Sequence, residues 1–362
     1  MAALVAAALI FAAVEVLQHW TTDVYSITPG NATPVARLVK IEGVATNPHH
    51  DKIMLTDVYL SSLTAWQWIA AQFQSHVQFV NADELVEPGV PTSELDAQGF
   101  LEMSDAKQAA EVAAFRALGW RVPSTPDGTV ITAVIAGSPA SRAKLRVGDR
   151  IEGVDSTAIR SSCQLISYVH NLAPRTVLDL RVERVMISST GVLSYRRASI
   201  VRLVTSAVPA GMTLADCGSA TSEARSYVGV ALEDGFAYSL PAKVSIDTAD
   251  IGGPSAGLAM TLTLVNELSG GSLTGHHVIA ATGTMAPNGE VGPVGGVEEK
   301  AVAVARAGAS YFIVPLGDGN LAAARAADQP GLKILAVTSL KEALRDLREL
   351  GGVRPVPLTK PS

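Results

Sequence analysis

A serine inside a glycine-rich turn is the first residue whose surroundings suit catalysis. Residues 250–257 read DIGGPSAG, and a strongly apolar stretch follows them. Gly252 and Gly253 permit a tight turn, and Pro254 fits the first position of a helix. Ser255 then stands at the positive end of that helix, among backbone N–H groups, as a nucleophile with an oxyanion hole requires. Such a turn by itself is more often simply a helix start, so both interpretations stay open.

A lysine that lies 45 positions after Ser255 adds the second chemical group. Lys300 shares a helical stripe with the apolar residues Val297, Ala301 and Val304, which predicts that it faces a core. The alternative is that its amine reaches out from the edge of an amphipathic helix. A lysine in the first turn of a helix, facing a core, has its pKa lowered by desolvation and by the helix dipole. Neutral lysine is the general base that a serine needs where no histidine serves.

These motifs together resemble the proteolytic domain of Lon-type serine–lysine proteases, over residues 210–350. The resemblance rests on GPSAG, on TGT at 282–284 and on NGEVGPVGGVEEK ending at Lys300. It implies that Ser255 is the nucleophile and Lys300 the base, with Gly252 and Gly253 in support. It also implies that Thr282, in the family's TG motif, lies near the lysine and hydrogen-bonds it.

Two departures from the Lon pattern concern regulation and energy supply. ATP-dependent Lon proteases have an acidic residue directly before GPSAG, where this chain has Gly252. No GxxxxGK[ST] motif occurs in the sequence, so no phosphate-binding loop for ATP is expected. The expectation is therefore an enzyme without cofactor, ATP or metal, acting on polypeptides that are already unfolded or are presented by their ends.

The middle of the chain resembles a PDZ domain. A β-branched strand at 128–134 leads to GSPA at 137–140, then to LRVGDRI, a helix and an alternating strand at 176–184. That fold adds a peptide strand to a sheet edge and holds a terminal carboxylate in a loop of backbone amides. The loop reads x-Φ-Gly-Φ, which predicts a peptide-binding site at Leu118, Gly119 and Trp120. The alternative is that Gly119 simply ends the preceding helix.

The N-terminus begins with an apolar run of about 17 residues, short for a membrane span of about 20. A membrane anchor, a signal-peptide core and a buried helix all fit the run, and the anchor is favoured because Trp20 and Tyr25 suit an interfacial belt. Residues 83–102 read as an acidic loop, followed by a helix from Asp105 that Gly119 stops. No chemistry is predicted between residues 21 and 112.

Composition excludes several classes of protein. With 48% hydrophobic and 17% charged residues, the 362-residue chain is neither disordered nor collagen-like. Residues 113–205 hold 13 basic and 6 acidic residues, but the arginines are scattered, so no nucleic-acid partner is expected. Cys163 and Cys217 are compatible with one disulfide in an exported protein or with two inert thiols.

The complete layout resembles the membrane-anchored PDZ–Lon proteins of bacteria, an α+β class with a PDZ-like β-sandwich and a Lon-type domain. It implies an ATP-independent serine endopeptidase that is anchored in the cell membrane by a single span, with both domains extracytoplasmic. It also implies a homo-oligomer, namely a hexamer. The competing hypothesis is a non-catalytic PDZ scaffold that keeps a Lon-like domain for oligomerisation. The predicted boundaries are 1–20 for the anchor, 21–112 for an N-terminal extracytoplasmic region, 113–205 for the PDZ domain, 206–350 for the protease and 351–362 for a tail.

Overall fold

The computed structural model describes residues 11, 14–47, 52–86, 90–188, 193–212, 217 and 226–359. Most of the predicted anchor, residues 1–10, 12 and 13, lies outside these ranges, and residues 14–19 are helical. Within the described ranges, no helix combines the length and the apolar character that crossing a membrane requires. The anchor therefore stays a prediction.

Helices and strands alternate along much of the chain. The helices are α1 (Ala65–Ala71), α2 (Ala82–Leu85), α3 (Leu95–Ala117), α4 (Pro139–Arg142), α5 (Ser162–His170), α6 (Gly257–Leu268), α7 (Val297–Arg306), α8 (Asn320–Ala326) and α9 (Leu340–Glu349). The strands are β1 (Thr21–Pro34), β2 (Val39–Glu42), β3 (Ile53–Thr64), β4 (Gln78–Asn81), β5 (Ser124–Val134), β6 (Arg150–Val154), β7 (Thr157–Ala158), β8 (Val177–Glu183), β9 (Val185–Ile187), β10 (Leu193–Tyr195), β11 (Ser199–Val204), β12 (Ser206–Ala207), β13 (Ser226–Tyr227), β14 (Val230–Tyr238), β15 (Lys243–Ile246), β16 (Ile279–Ala281), β17 (Thr284–Met285), β18 (Val291–Gly292), β19 (Tyr311–Pro315) and β20 (Lys333–Val337).

The chain divides into two compact units, each assembled from separated segments. The first unit comprises Met1–Leu85, Ala109–Gly119 and Ser255–Ser362, and the second comprises Val86–Gln108 and Trp120–Pro254. This division does not coincide with the predicted boundaries after residues 112 and 205, because strands that lie far apart in the chain pair in one sheet.

The first unit is built on a six-stranded sheet in the order β20-β19-β16-β3-β1-β4. β16, β19 and β20 are parallel, with α7 and α8 as their crossover helices, as parallel pairing requires. β3 extends this sheet in parallel with β16, and β1 and β4 complete it in antiparallel pairing. Half of the sheet therefore comes from the N-terminal region in which no chemistry was predicted.

The core of the first unit holds α7 against the sheet. Val297, Ala301 and Val304 of α7 belong to one buried cluster with Ala280 of β16 and Met54 of β3. These three positions are the apolar stripe seen in the sequence, which confirms that the stripe faces a core.

Helix α3 corrects the prediction for residues 83–118. It begins at Leu95 rather than at Asp105, so part of the predicted acidic loop is helical. Gly99 near its start is a weak helix former, but buried side chains such as Leu101 and Met103 compensate for it. The predicted end is correct, since the helix stops at Ala117, two residues before Gly119.

The second unit is an antiparallel sheet in the order β11-β8-β6-β5-β14, with β7 paired to β6. Alternate residues of β8 are fully buried, namely Leu178, Leu180 and Val182, as a half-buried strand requires. Helix α5 packs Leu165 and Val169 into the same cluster. Among the described residues these strands form one sheet partnered by a helix, where the expectation was a β-sandwich.

A disulfide joins Cys163, in the first turn of α5, to Cys217. Of the two alternatives left open by the sequence, the bonded pair is the one found. Closing a chain segment of 54 residues stabilises a fold by about 4 kcal/mol in the loop-entropy description.

Candidate active site

The turn that carries Ser255 is a single 3₁₀ turn, Pro254–Ala256, which runs directly into α6. Every residue of α6 is buried, whereas Ser255 itself is partly exposed. Gly257 is required at the start of α6, because a Cβ there would lie 2.8 Å from the backbone nitrogen of Met285. The nucleophile turn is thus packed closely on the chain that follows β16.

Two groups after β16 hold the backbone carbonyl of Ser255. The N–H of Gly283 donates to it at 2.9 Å, and the hydroxyl of Thr282 donates to it at 3.2 Å. Thr282 is fully buried. The resemblance implied a threonine that hydrogen-bonds the lysine, and the structure instead places this hydroxyl on the residue of the nucleophile.

Gly252 and Gly253 shape the approach to the turn. Gly253 has φ +85°, a conformation that favours glycine, and its N–H donates to the carbonyl of Gly99 at 2.7 Å. Gly252 lies against Gly99, where a Cβ would be 3.2 Å from the Gly99 carbonyl carbon. The Gly253 N–H is thus already bonded, and the N–H groups of Ser255 and Ala256 in the first turn are the candidate oxyanion donors.

The side chain of Lys300 is buried, with 3% of the residue exposed. This excludes the alternative in which the amine reaches solvent from the edge of the helix. Burial lowers the pKa of Lys300 to about 8, while the carboxylates of Asp57 and Glu299 act in the opposite direction and raise it. About a tenth of the amine is therefore neutral at pH 7, far more than for a lysine with its ordinary pKa.

Asp57 is the functional residue that sequence reasoning missed. It lies on β3, and its carboxylate accepts a hydrogen bond from the N–H of Asn31 at 2.8 Å. An aspartate in an alternating strand, IMLTDVY, offers no signal that it approaches a lysine more than 200 residues later.

Strand register connects the two halves of the site. β3 and β16 are parallel, with Ile53 opposite Ile279 and Met54 opposite Ala280. Neighbouring strands lie about 4.8 Å apart. The strand that carries Asp57 is therefore paired with the strand that leads into Thr282 and Gly283, the two residues that hold the Ser255 carbonyl.

The predicted peptide-binding residues lie elsewhere than on a sheet edge. Leu118 and Trp120 are each only 5% exposed, and Gly119 has φ +91° with its N–H bonded to the carbonyl of Arg116. This is the geometry of a helix end, which was the alternative interpretation. No side chain of this group is presented to a peptide.

The open edge of the PDZ sheet carries a second x-Φ-Gly-Φ pattern that the sequence reasoning overlooked. β14 ends the described strand order, and it is preceded by Tyr227, Val228 and Gly229, with φ +81° at the glycine. Helix α5 lies beside it, since Ser226 donates to the carbonyl of Val169 at 2.8 Å. A search for the same x-Φ-Gly-Φ motif after the other strands of the sheet, instead of before them, would have found this edge.

Sequence comparisons agree with the two folded modules. Residues 247–347 match the family model of the Lon protease (S16) C-terminal proteolytic domain, and residues 130–184 match that of the PDZ domain. The chain carries a Lon proteolytic domain and a PDZ domain. No ATPase domain was found in it, and within the described residues no group of three or more His, Cys, Asp or Glu side chains is placed to hold a metal ion.

The Lon proteases that this chain resembles match it over the protease region only. Lon protease 1 of Sorangium cellulosum is 35% identical over 28% of this chain and 12% of its own length. The Lon protease of Methylocella silvestris is 46% identical over 17% of this chain and 8% of its own. The chain thus spans about a tenth of the length of these curated relatives. A PDZ domain of the SdrC-like protein from Listeria monocytogenes aligns over 29% of this chain and 87% of its own, with 18% identity and a TM-score of 0.22.

Proposed function

We propose that the Lon domain is an ATP-independent serine endopeptidase with Ser255 as nucleophile and Lys300 as general base. The observation that carries this proposal is the buried amine of Lys300, with a pKa of about 8. Its helix α7 packs on β16, and the residues directly after β16 hold the Ser255 turn. A buried lysine without a catalytic task is costly, because burial disfavours its charge.

The chemical steps follow from these two groups. The Ser255 hydroxyl attacks the scissile carbonyl while its proton passes to the neutral Lys300 amine. The oxyanion that forms is stabilised by first-turn N–H groups, and the ammonium then protonates the leaving amine as the C–N bond breaks. Water then attacks the acyl-enzyme while Lys300 accepts its proton. As the ester C–O bond breaks, the ammonium returns that proton to Ser255 Oγ, which restores the free hydroxyl and the neutral amine.

The PDZ domain is proposed to present substrates by their C-termini. Among the described residues β14 is the end strand of its sheet, beside α5, and strand addition at such an edge is the recognition mode of this fold. Substrates in this proposal are unfolded or flexible polypeptides, because no GxxxxGK[ST] motif for ATP binding occurs in this sequence.

The test uses the full chain, because β1, β3 and β4 complete the protease sheet and a fragment starting near residue 113 would lack them. Cleavage of casein and of an internally quenched peptide is measured without ATP. Ser255→Ala and Lys300→Ala are expected to abolish cleavage. The matched controls Ser310→Ala and Lys333→Ala change exposed residues of the same types and are expected to retain it.

Persistent cleavage in both dyad variants would overturn the proposal. A scaffold function would instead give no cleavage by the wild-type protein and no labelling of Ser255 by a peptide boronate, with C-terminal peptide binding intact. Binding is measured on Ser255→Ala protein with a peptide that has a free or an amidated C-terminus, and only the free form is expected to bind.

A location on the outer side of the cell membrane, as a homo-oligomer, is proposed as well. The Cys163–Cys217 disulfide supports export, because such bonds persist in oxidising compartments. Protein taken from cells with blocked free thiols is expected to carry the bond, and free thiols at both positions would argue against export. Sedimentation of the detergent-solubilised chain tests the assembly state, and a monomer would contradict it.

A further inference from the structure

A basic groove lies on the first unit, near the hairpin that follows Gly283. The cavity has a volume of about 860 Å³ and lies between the turn at 287–290, one face of α9 and the end of α3. Its cationic lining residues, called the basic groove below, are Arg116, Lys341, Arg345, Arg348 and Arg354. Glu290 is the carboxylate among the residues that line it.

The charges on α9 are sorted by face. Lys341, Arg345 and Arg348 fall at i, i+4 and i+7, on the side that lines the groove, while Ala343 and Leu347 are buried in the core. Arg345 is paired with Asp346 at 2.8 Å. Among the described residues, Lys341, Arg348 and Arg354 have no ion-pair partner.

The groove borders a second cavity, which is lined by the hairpin that follows Gly283. This cavity, about 580 Å³, is lined by Thr284, Met285 and Ala286, and it shares Glu290 and Ser339 with the basic groove. Met285 lies against Gly257, two residues after Ser255, as the 2.8 Å approach to a Gly257 Cβ shows. From Gly283 to Pro287 the chain covers about 13 Å at 3.3 Å per residue.

We infer that the basic groove binds an acidic segment of the substrate polypeptide, four or more residues from the scissile bond. This inference rests on the proposed peptidase function. An extended substrate with its scissile carbonyl at Ser255 covers the distance to the groove in about four residues. Aspartate and glutamate side chains there meet Lys341, Arg348 and Arg354, which have no carboxylate partner among the described residues. The acidic segment belongs to the same peptide that is bound at Ser255.

The experiment compares three internally quenched peptides with one cleavable core and amidated C-termini, which removes PDZ capture. The peptides carry four acidic residues on the N-terminal side, four on the C-terminal side, or a Gly-Ser segment instead. One of the two acidic peptides is expected to have a kcat/KM about tenfold above that of the neutral peptide, because its KM is lower. The expected gain is no larger, since each exposed ion pair contributes little. The preference is expected to vanish at 0.5 M salt, because salt screens exposed charges.

The double variant Arg348→Glu/Arg354→Glu is expected to lose the preference while cleaving the neutral peptide as the wild type does. The control Arg306→Glu/Arg325→Glu makes the same charge change at exposed arginines of α7 and α8 and is expected to retain it. Equal kcat/KM for acidic and neutral peptides in the wild type, or an unchanged preference in the Arg348/Arg354 variant, would overturn the inference.

A binding measurement separates this inference from the proposed function. Fluorescence anisotropy on Ser255→Ala protein reports binding of the acidic peptide without turnover, so it applies even if no peptide is cleaved. Binding that weakens in the Arg348→Glu/Arg354→Glu background supports the groove whatever the fate of the catalytic proposal. Binding of phosphatidylglycerol vesicles that depends on the two arginines, without any peptide preference, would assign the groove to a lipid surface and overturn the inference.

Discussion

Helices α6 and α7 both follow a glycine with positive φ. The polar residue near the start of each helix, Ser255 or Lys300, differs in how far it is exposed. Before α6, Gly253 turns the chain and leaves Ser255 partly exposed, with its carbonyl held by Thr282 and Gly283. Before α7, Gly296 turns the chain and places Lys300 where only 3% of it is exposed. The proposed nucleophile, Ser255, is thus defined by its position, and the proposed base, Lys300, by its apolar surroundings.

That difference predicts different consequences of mutation. Changes around Ser255 should act through geometry and be largely independent of pH. Changes around Lys300 should act through the free energy of its charged form and appear in pH profiles and in stability.

The largest effect is expected for Lys300→Met. Loss of the base should lower kcat/KM by about a thousandfold or more. The free energy of unfolding should rise by up to about 3 kcal/mol at pH 7, because the folded chain no longer holds an ammonium in apolar surroundings. Chemical denaturation at several pH values measures this gain, with Lys333→Met, an exposed position, as the control.

The sign of the pH dependence follows from the pKa values. Lys300 has a pKa of about 8 when folded and about 10.5 when exposed, so the unfolded wild type binds more protons between these values. Stability of the wild type should therefore increase with pH in this window, and the advantage of Lys300→Met should shrink. A variant that is less stable than the wild type at pH 7 would contradict a desolvated lysine.

Gly257→Ala tests the positional half of the comparison. The added Cβ would meet the backbone of Met285 at 2.8 Å, so the start of α6 must move and carry Ser255 with it. We expect kcat to fall about a hundredfold, since small displacements of reacting groups are costly. Gly317→Ala adds a methyl group in open space and should leave kcat unchanged; similar losses in both would count against the packing argument.

Thr282→Val removes one of the two bonds to the Ser255 carbonyl while preserving side-chain volume. The lost hydrogen bond corresponds to about 1–1.5 kcal/mol, and kcat should fall about tenfold at every pH. Thr282→Ser restores a hydroxyl and is expected to recover most of the activity. A change in the pH profile of Thr282→Val would instead place the threonine on Lys300, as the Lon resemblance implied.

The smallest effect is expected for Asp57→Asn. The kcat/KM of the wild type should rise with pH around a midpoint of about 8, as Lys300 loses its proton. Asp57 raises the pKa of Lys300, so its neutralisation should move that midpoint to lower pH and increase kcat/KM at pH 7 by about threefold. Asparagine still accepts the bond from Asn31, and Asp83→Asn serves as the exposed control. A midpoint that stays at the wild-type pH would exclude an electrostatic role.

The sequence alone suggested the Ser255–Lys300 dyad, because residues close to each of the two in the chain determine its local structure. The glycines, proline and serine of residues 252–255 define a turn by their own backbone preferences, and the stripe around Lys300 reports its burial. The same reasoning predicted the end of α3 at Gly119 from one residue type.

The parts that were missed depend on contacts between distant segments. Asp57 precedes Ser255 by 198 residues, and only the pairing of β3 with β16 brings its strand to the site. Gly99, which accepts the Gly253 N–H, lay in a segment predicted as a loop. In the PDZ sheet, the x-Φ-Gly-Φ motif was sought before the first strand, and the edge strand β14 comes after the others.

The pairing of β3 with β16 also has a consequence for biosynthesis. After Thr64 is added, the ribosome must add 215 residues before Ile279 emerges to pair with that strand. At 5–20 residues per second this takes roughly 10 to 40 s, during which the edge of β3 lacks its native neighbour. The sheet of the first unit therefore closes only after most of the second unit, which lies between its two halves, has been synthesised.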